Sequence, residues 1–206
     1  MTFIVFEGID GVGKTTQINL LQDRLTAAGL RVLVTREPGG TRLGEIIRGV
    51  LLNPVHSEMA PETESLLYVA ARAQFVREVV RPALADGMVV LSDRYADSTL
   101  AYQGYGRRLD VARLGEINGL ATGDLHPALT VLLDLPVEAA LARTGAKERD
   151  RLEQETGAFY QRVRDGYLAL AGANPEQYLV LDAVTPPEEL AAVIWERVGG
   201  MLHPVQ

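Results

Sequence analysis

Residues 8–15 read GIDGVGKT, a full match to the phosphate-binding pattern G-x-x-x-x-G-K-[ST]. An apolar run, Phe3 to Phe6, enters the motif, and a helical pattern with Ile18, Leu21 and Leu25 on one face leaves it. Strand, glycine loop and helix in that order separate a working phosphate cradle from a chance match. Gly8, Gly11 and Gly13 let the backbone turn tightly and aim its N–H groups inward, with Ile9, Asp10 and Val12 between them. Lys14 is expected to reach the β and γ phosphates from a solvated cradle, and the Thr15 hydroxyl suits Mg²⁺. Thr16 follows at the helix N-terminus, whose partial positive charge favours an anion. The bland alternative is a glycine-rich turn with an incidental lysine. The flanking elements favour a site for a nucleoside triphosphate.

Such a loop needs a parallel sheet behind it, and the rest of the chain supplies one. Further strand-like runs are Arg31–Thr35, Met88–Ser92, Leu129–Asp134 and Tyr178–Leu181. Helical patterns run from Thr15 to Ala28, Leu43 to Leu52, Glu62 to Leu84, Ala112 to Ala121, Val137 to Thr144, Glu153 to Ala171 and Glu188 to Met201. Pro82 is expected to kink or end its long helix early. Strands alternating with helices predict an α/β, doubly wound P-loop NTPase fold. Its parallel five-stranded sheet is flanked by helices and binds ligands at the strands' carboxyl ends. No repeat, low-complexity tract or linker interrupts residues 1–206, so one domain is expected.

Composition narrows the partners. The 206 residues are 47% hydrophobic with a net charge of −7, which argues against a basic nucleic-acid-binding face. Clustered arginines still allow a small anionic substrate. There are no cysteines, no basic leader precedes the first strand and no apolar run reaches membrane length. The expectation is therefore a cytoplasmic protein without a membrane span. Of the 20 basic residues only Lys14 and Lys147 are lysines.

The third strand ends in Asp93-Arg94. A carboxylate at a strand end beside a P-loop is placed to hold Mg²⁺, and the arginine can meet a phosphate. The second strand runs into TREPGG, bringing Arg36 and Glu37 nearby on a stiffened loop. Tyr68 and Arg72 lie four apart on one helix face, offering a ring to stack on a base and a guanidinium for its edge. Thr99, Tyr102 and Gln103 share a polar face by the same spacing. Alone, a tyrosine among Leu66, Leu67 and Val69 is more often core. Arg143, Arg149 and Arg151 flank the glycine-broken segment TGAKERDRLE. Such a run is usually a solvated loop, but in a phosphotransferase it can form a flap that supplies charge and excludes water.

Taken together, GIDGVGKTT, TREPGGT, YVAAR, SDRYADSTLAYQG and DRLEQE resemble bacterial thymidylate kinases, in order and over nearly the whole chain. The resemblance implies ATP-dependent phosphorylation of dTMP to dTDP with Mg²⁺, a LID over ATP at about residues 143–155, and a homodimer. It implies that Arg36 and Arg94 meet the dTMP phosphate, that Arg48 contacts the pocket and that Tyr68 stacks on thymine. Arg72, Thr99 and Gln103 fall at base-reading positions, and Tyr102 where crowding at the 2′ carbon favours deoxyribose. Asp10 matches an acid that approaches the acceptor, and Arg143 a residue near adenine. Some relatives carry an arginine after that acid; here Gly11 stands there, which implies a catalytic arginine in the LID, Arg149 or Arg151. Two rivals remain. A deoxynucleoside kinase would leave Arg36 and Arg94 without a phosphate to bind. A GTPase-type switch would want an Asn-Lys-x-Asp segment, which is absent because Ala146 precedes Lys147.

Overall fold

The computed structural model describes residues 2–144 and 150–202. Among these, five strands form one all-parallel sheet: β1 (Phe3–Glu7), β2 (Val32–Arg36), β3 (Val89–Asp93), β4 (Leu129–Asp134) and β5 (Tyr178–Asp182), in the order β2-β3-β1-β4-β5. The helices are α1 (Lys14–Ala27), α2 (Arg42–Leu52), α3 (Pro61–Phe75), α4 (Arg81–Ala85), α5 (Ala96–Thr99), α6 (Val111–Thr122), α7 (Val137–Thr144), α8 (Gly157–Ala173) and α9 (Pro187–Leu202). The expected doubly wound fold is the one found.

Two buried clusters cover the two faces of the sheet, and β1 shows the period-2 rule that divides them. Ile4 and Phe6 join one cluster, while Phe3 and Val5 join the other. Being buried on both faces, the central strands read as continuous apolar runs.

Four of the five strands, β1, β2, β3 and β5, run one residue further than hydropathy alone indicates. Arg36 still pairs with Asp93, and Asp134 with Asp182, so the ladder continues after the side chains turn polar. That extra rung carries the chemistry, because it is where the strands meet the crevice. The expected helix from Glu62 to Leu84 divides: α3 stops at Phe75, residues Val76–Val80 widen into a π turn, and α4 resumes. Pro82 gives the reason. It has no N–H to donate, its ring crowds the carbonyl four residues back, and the wider turn relieves both. The STLAYQG segment likewise combines α5 with a π turn over Leu100–Gly106. The helix expected from Glu153 starts only at Gly157, where the Thr156 side chain accepts from Phe159 N–H as an N-cap.

Candidate active site

The phosphate loop closes between β1 and α1 as expected. Gly8, Gly11 and Gly13 all hold left-handed φ values (130°, 85° and 97°). At Gly11 packing adds a second constraint: a Cβ there would lie 2.3 Å from the Ala140 carbonyl oxygen on α7. No arginine can therefore follow Asp10 in this backbone. Ile9 and Val12 point into the core, leaving only their backbone to the loop, while Thr15 and Thr16 are exposed at the start of α1.

Lys14 departs from its solvated expectation. Its side chain is buried, with Nζ donating to the carbonyls of Gly8 (3.1 Å) and Ile9 (3.2 Å). Asp10 and Asp93 lie 3.9 and 4.0 Å away. Burial first, then the Arg94 charge, push its pKa below the usual lysine value, against the pull of the acids around it. Asp93 ends β3 beside Thr15, and its buried Oδ1 has no hydrogen-bond partner among the described residues. A carboxylate and a hydroxyl are hard oxygen donors that suit Mg²⁺. Arg36 opens onto the same hollow, largely exposed and 3.4 Å from Glu45.

A second pocket lies across Arg94. Its walls include Asp10, Glu37, Arg48, Tyr68, Thr99, Tyr102 and Gln103, so seven residues singled out in the sequence converge there with Arg94 itself. Arg94 adopts a left-handed φ of 73°, which breaks the strand and swings the side chain inward. Its guanidinium donates to Asp10 (2.8 Å), Tyr102 (3.1 Å), Tyr167 (3.1 Å) and Ser98 (3.3 Å). Burial works against its charge, but Tyr102, Asp10, Tyr167 and Asp93 outweigh that and raise its pKa well above the usual value. A fixed cation thus stands at the seam between phosphate loop and pocket. Arg48 donates to the Pro38 carbonyl at 2.9 Å on another wall.

Arg72 lies behind the wall. Fully buried, it donates to Glu37 (2.7 Å), Thr99 (2.8 Å), Asn118 (2.6 Å) and the Tyr95 carbonyl (2.9 Å). Four of its five N–H groups are thereby committed to holding Glu37 and Thr99 in place. Burial pushes the Glu37 carboxyl up to about 7, against Arg72, and its Oε1 has no partner among the described residues.

The LID arginines separate. Arg149 lies outside the described residues. Arg151 is buried: its Nε donates to the Leu51 carbonyl (2.8 Å) and its Nη1 to Glu64 (2.6 Å), so it fastens this segment to α2 and α3. Arg143 is exposed and donates to the Ala183 carbonyl (3.2 Å) beyond β5.

Two buried acids escaped the sequence reading. Glu7 closes β1, accepting from Tyr95 N–H (2.8 Å), Ser98 (2.7 Å) and Tyr167 (2.8 Å), with Arg94 4.0 Å away. Burial raises its carboxyl to about 7, partly opposed by Arg94. Its signal was an acid ending an otherwise apolar strand, FIVFE. Glu64, one turn before Tyr68 on α3, accepts from Gln103, Arg107 and Arg151.

Residues 6–194 match the family model described as thymidylate kinase. The chain belongs to the thymidylate kinase family. It is 60% identical to the thymidylate kinase of Desulforudis audaxviator over 98% of this chain and 91% of that one. To the thymidylate kinase of Deinococcus radiodurans it is 54% identical over 98% of both. A crystal structure of thymidylate kinase from Ehrlichia chaffeensis superposes with a TM-score of 0.77 at 31% identity, covering 96% and 98% of the two chains. The family's reaction is phosphorylation of dTMP, and the chain is accordingly a kinase rather than a switch.

Proposed function

We propose that ATP docks its phosphates on residues 8–16 while dTMP occupies the pocket across Arg94, and that the γ-phosphoryl passes between them. The observation that carries this reading is the position of Arg94, which touches the P-loop acid Asp10 while lining the pocket. Phosphoryl transfer needs alignment and charge neutralisation more than covalent chemistry. Lys14 and Arg94 supply fixed positive charge on either side of the transfer line. Asp10, held by Arg94, orients the acceptor. Arg48 and Arg94 receive the dTMP phosphate, Tyr68 stacks on the base, Gln103 reads its edge and Tyr102 crowds the 2′ carbon.

Mg²⁺ fits Thr15 and the orphaned Asp93 oxygen. Among the described residues no group of three or more His, Cys, Asp or Glu gathers, which suits an ion held chiefly by phosphates and water. Bound there, it neutralises charge on the nucleotide phosphates. Arg36 faces this hollow, so its contact with dTMP would require the TREPGG loop to move, whereas Arg143 near β5 stands on the adenine side. The chain works in the cytoplasm with its nucleotides. It pairs with a second copy through the exposed Leu43, Ile46 and Val50 of α2, Leu66 of α3 and Leu120 of α6, an apolar set of the kind that marks interfaces.

ADP release followed across nucleotide acceptors tests the reading. dTMP should be the preferred acceptor, with dUMP weaker and dCMP weaker still. Equal turnover of thymidine and dTMP would show that the arginines around the pocket bind no acceptor phosphate.

A further inference from the structure

The amide of Gln103 has one available orientation, and the reason lies outside the pocket. Glu64 is fully buried. Its Oε1 accepts from Gln103 Nε2 at 2.8 Å and Arg107 Nε at 3.2 Å, and its Oε2 from Arg107 Nη2 at 3.0 Å and Arg151 Nη1 at 2.6 Å. Burial opposes its charge, but the hydrogen bonds from Arg107 and Gln103 and the charges of Arg107 and Arg151 win and hold its carboxyl below the usual range. An ionised carboxylate can only accept. The Gln103 atom against it must therefore be the NH₂, which leaves the carbonyl oxygen for the pocket that Gln103 lines.

We propose that Glu64 is a positioning residue for base selection: it fixes Gln103 so that the carbonyl oxygen faces the base. That oxygen accepts thymine N3–H and opposes the N3 lone pair of cytosine. The proposal rests on the reading that this pocket holds the base. Because Arg151 binds the same carboxylate, the group that sets the base reader also fastens the LID segment.

The test is Glu64→Gln. An amide at this position must point its NH₂ at one of two donor sets. Toward Oε2 it would face two guanidinium groups at 2.6 and 3.0 Å, whereas toward Oε1 it faces the longer Arg107 Nε contact (3.2 Å) and Gln103, whose part of the conflict is relieved when that amide turns over. The turned amide presents N–H to the pocket, which repels thymine N3–H and suits cytosine N3. The expected result is a fall of about 10-fold or more in the dTMP to dCMP ratio of kcat/KM, carried mainly by the dTMP KM. Arg107→Met removes a neighbour of Glu64 but spares its bond to Gln103, so it should leave the ratio within about 3-fold even where stability falls. A folded Glu64→Gln enzyme with an unchanged ratio overturns the proposal.

Should Glu64→Gln not fold, side-chain NMR of the wild-type protein decides. The Gln103 NH₂ should be protected from exchange and stay so when dTMP binds; rapid exchange, or transfer of that bond to dTMP, overturns the proposal. Gln103→Leu separates the two readings. If it leaves dTMP KM and selectivity unchanged, Gln103 does not face the base and both fail. If it alone abolishes selectivity while Glu64→Gln does not, only the role of Glu64 fails.

Discussion

Removing the Arg151 side chain distinguishes a catalytic cation from a fastening. Arg151→Ala deletes two buried bonds, Nε to the Leu51 carbonyl and Nη1 to Glu64, but keeps the backbone bond from Arg151 N–H to the Leu52 carbonyl. Breaking a buried ion pair costs about 3–5 kcal/mol when it strands the partner. Glu64 is not stranded, because Arg107 and Gln103 still donate to it. The loss is closer to one charged hydrogen bond, about 1.5–3 kcal/mol, plus about 1 kcal/mol for the Leu51 carbonyl left buried. Nη2 is already buried without a partner, and deleting it returns part of that cost. The expected net is about 2–3 kcal/mol, or roughly 5–10 °C in Tm for a chain of this size.

Urea and thermal unfolding give the stability, and steady-state kinetics below the new Tm give the function. A fastening should show the full stability loss and a raised dTMP KM, with kcat lowered by less than about 10-fold. A cation acting on the transferring phosphoryl would instead cost about 10²–10³ in kcat. An Arg151→Ala enzyme with unchanged Tm and a hundredfold lower kcat would refute the fastening and make Arg151 the catalytic arginine.

Three further outcomes follow from the site. Lys14→Met should lower kcat by about 10²–10³ and also change stability measurably, since the ε-amino group is buried on the Gly8 and Ile9 carbonyls; near-normal turnover would remove Lys14 from the transfer line. Glu7 is raised to about 7 by burial, so between pH 4.5 and 7 the folded chain holds a proton that the unfolded chain lacks. Its contribution is full below that window and lost as pH rises through it, and the stability of wild type relative to Glu7→Gln should shrink by about 3 kcal/mol across it; a pH-independent difference in urea titrations would contradict the burial argument. Ile46→Glu on the exposed face of α2 should shift the sedimentation of the protein toward monomer without changing its circular dichroism, and an unaltered sedimentation coefficient would place any pairing elsewhere.

Much of this site was legible because phosphate chemistry constrains backbone and side chain together. GIDGVGKT needs its glycines for φ and its lysine for charge, so the motif reports geometry directly. The DR at the end of β3 and the spacing of Tyr68, Thr99, Tyr102 and Gln103 likewise predicted residues that converge around Arg94. Arg72 and Arg151 show the limit of such reading. Each reads in the sequence as a cation for a nucleotide, yet each spends its donors on buried acceptors, because a guanidinium taken out of water must be paired. The partners were harder to see: Glu64 sits among Thr63, Ser65 and Leu66 with nothing local to show that three donors converge on it, Gln103 and Arg107 from the π turn at Leu100–Gly106 and its end, and Arg151 from the LID side of the chain. Its importance arises only when distant segments meet. A sequence motif marks groups that touch a ligand, whereas the groups that hold those first ones in register are specified by the fold. In this chain the second set pairs acids with arginines: Glu7 behind Arg94, Arg72 holding Glu37, and Glu64 behind Gln103 with Arg151 bound to it. An anion-binding site built from arginines in a buried crevice needs such counter-charges to keep its cations aimed before any phosphate arrives.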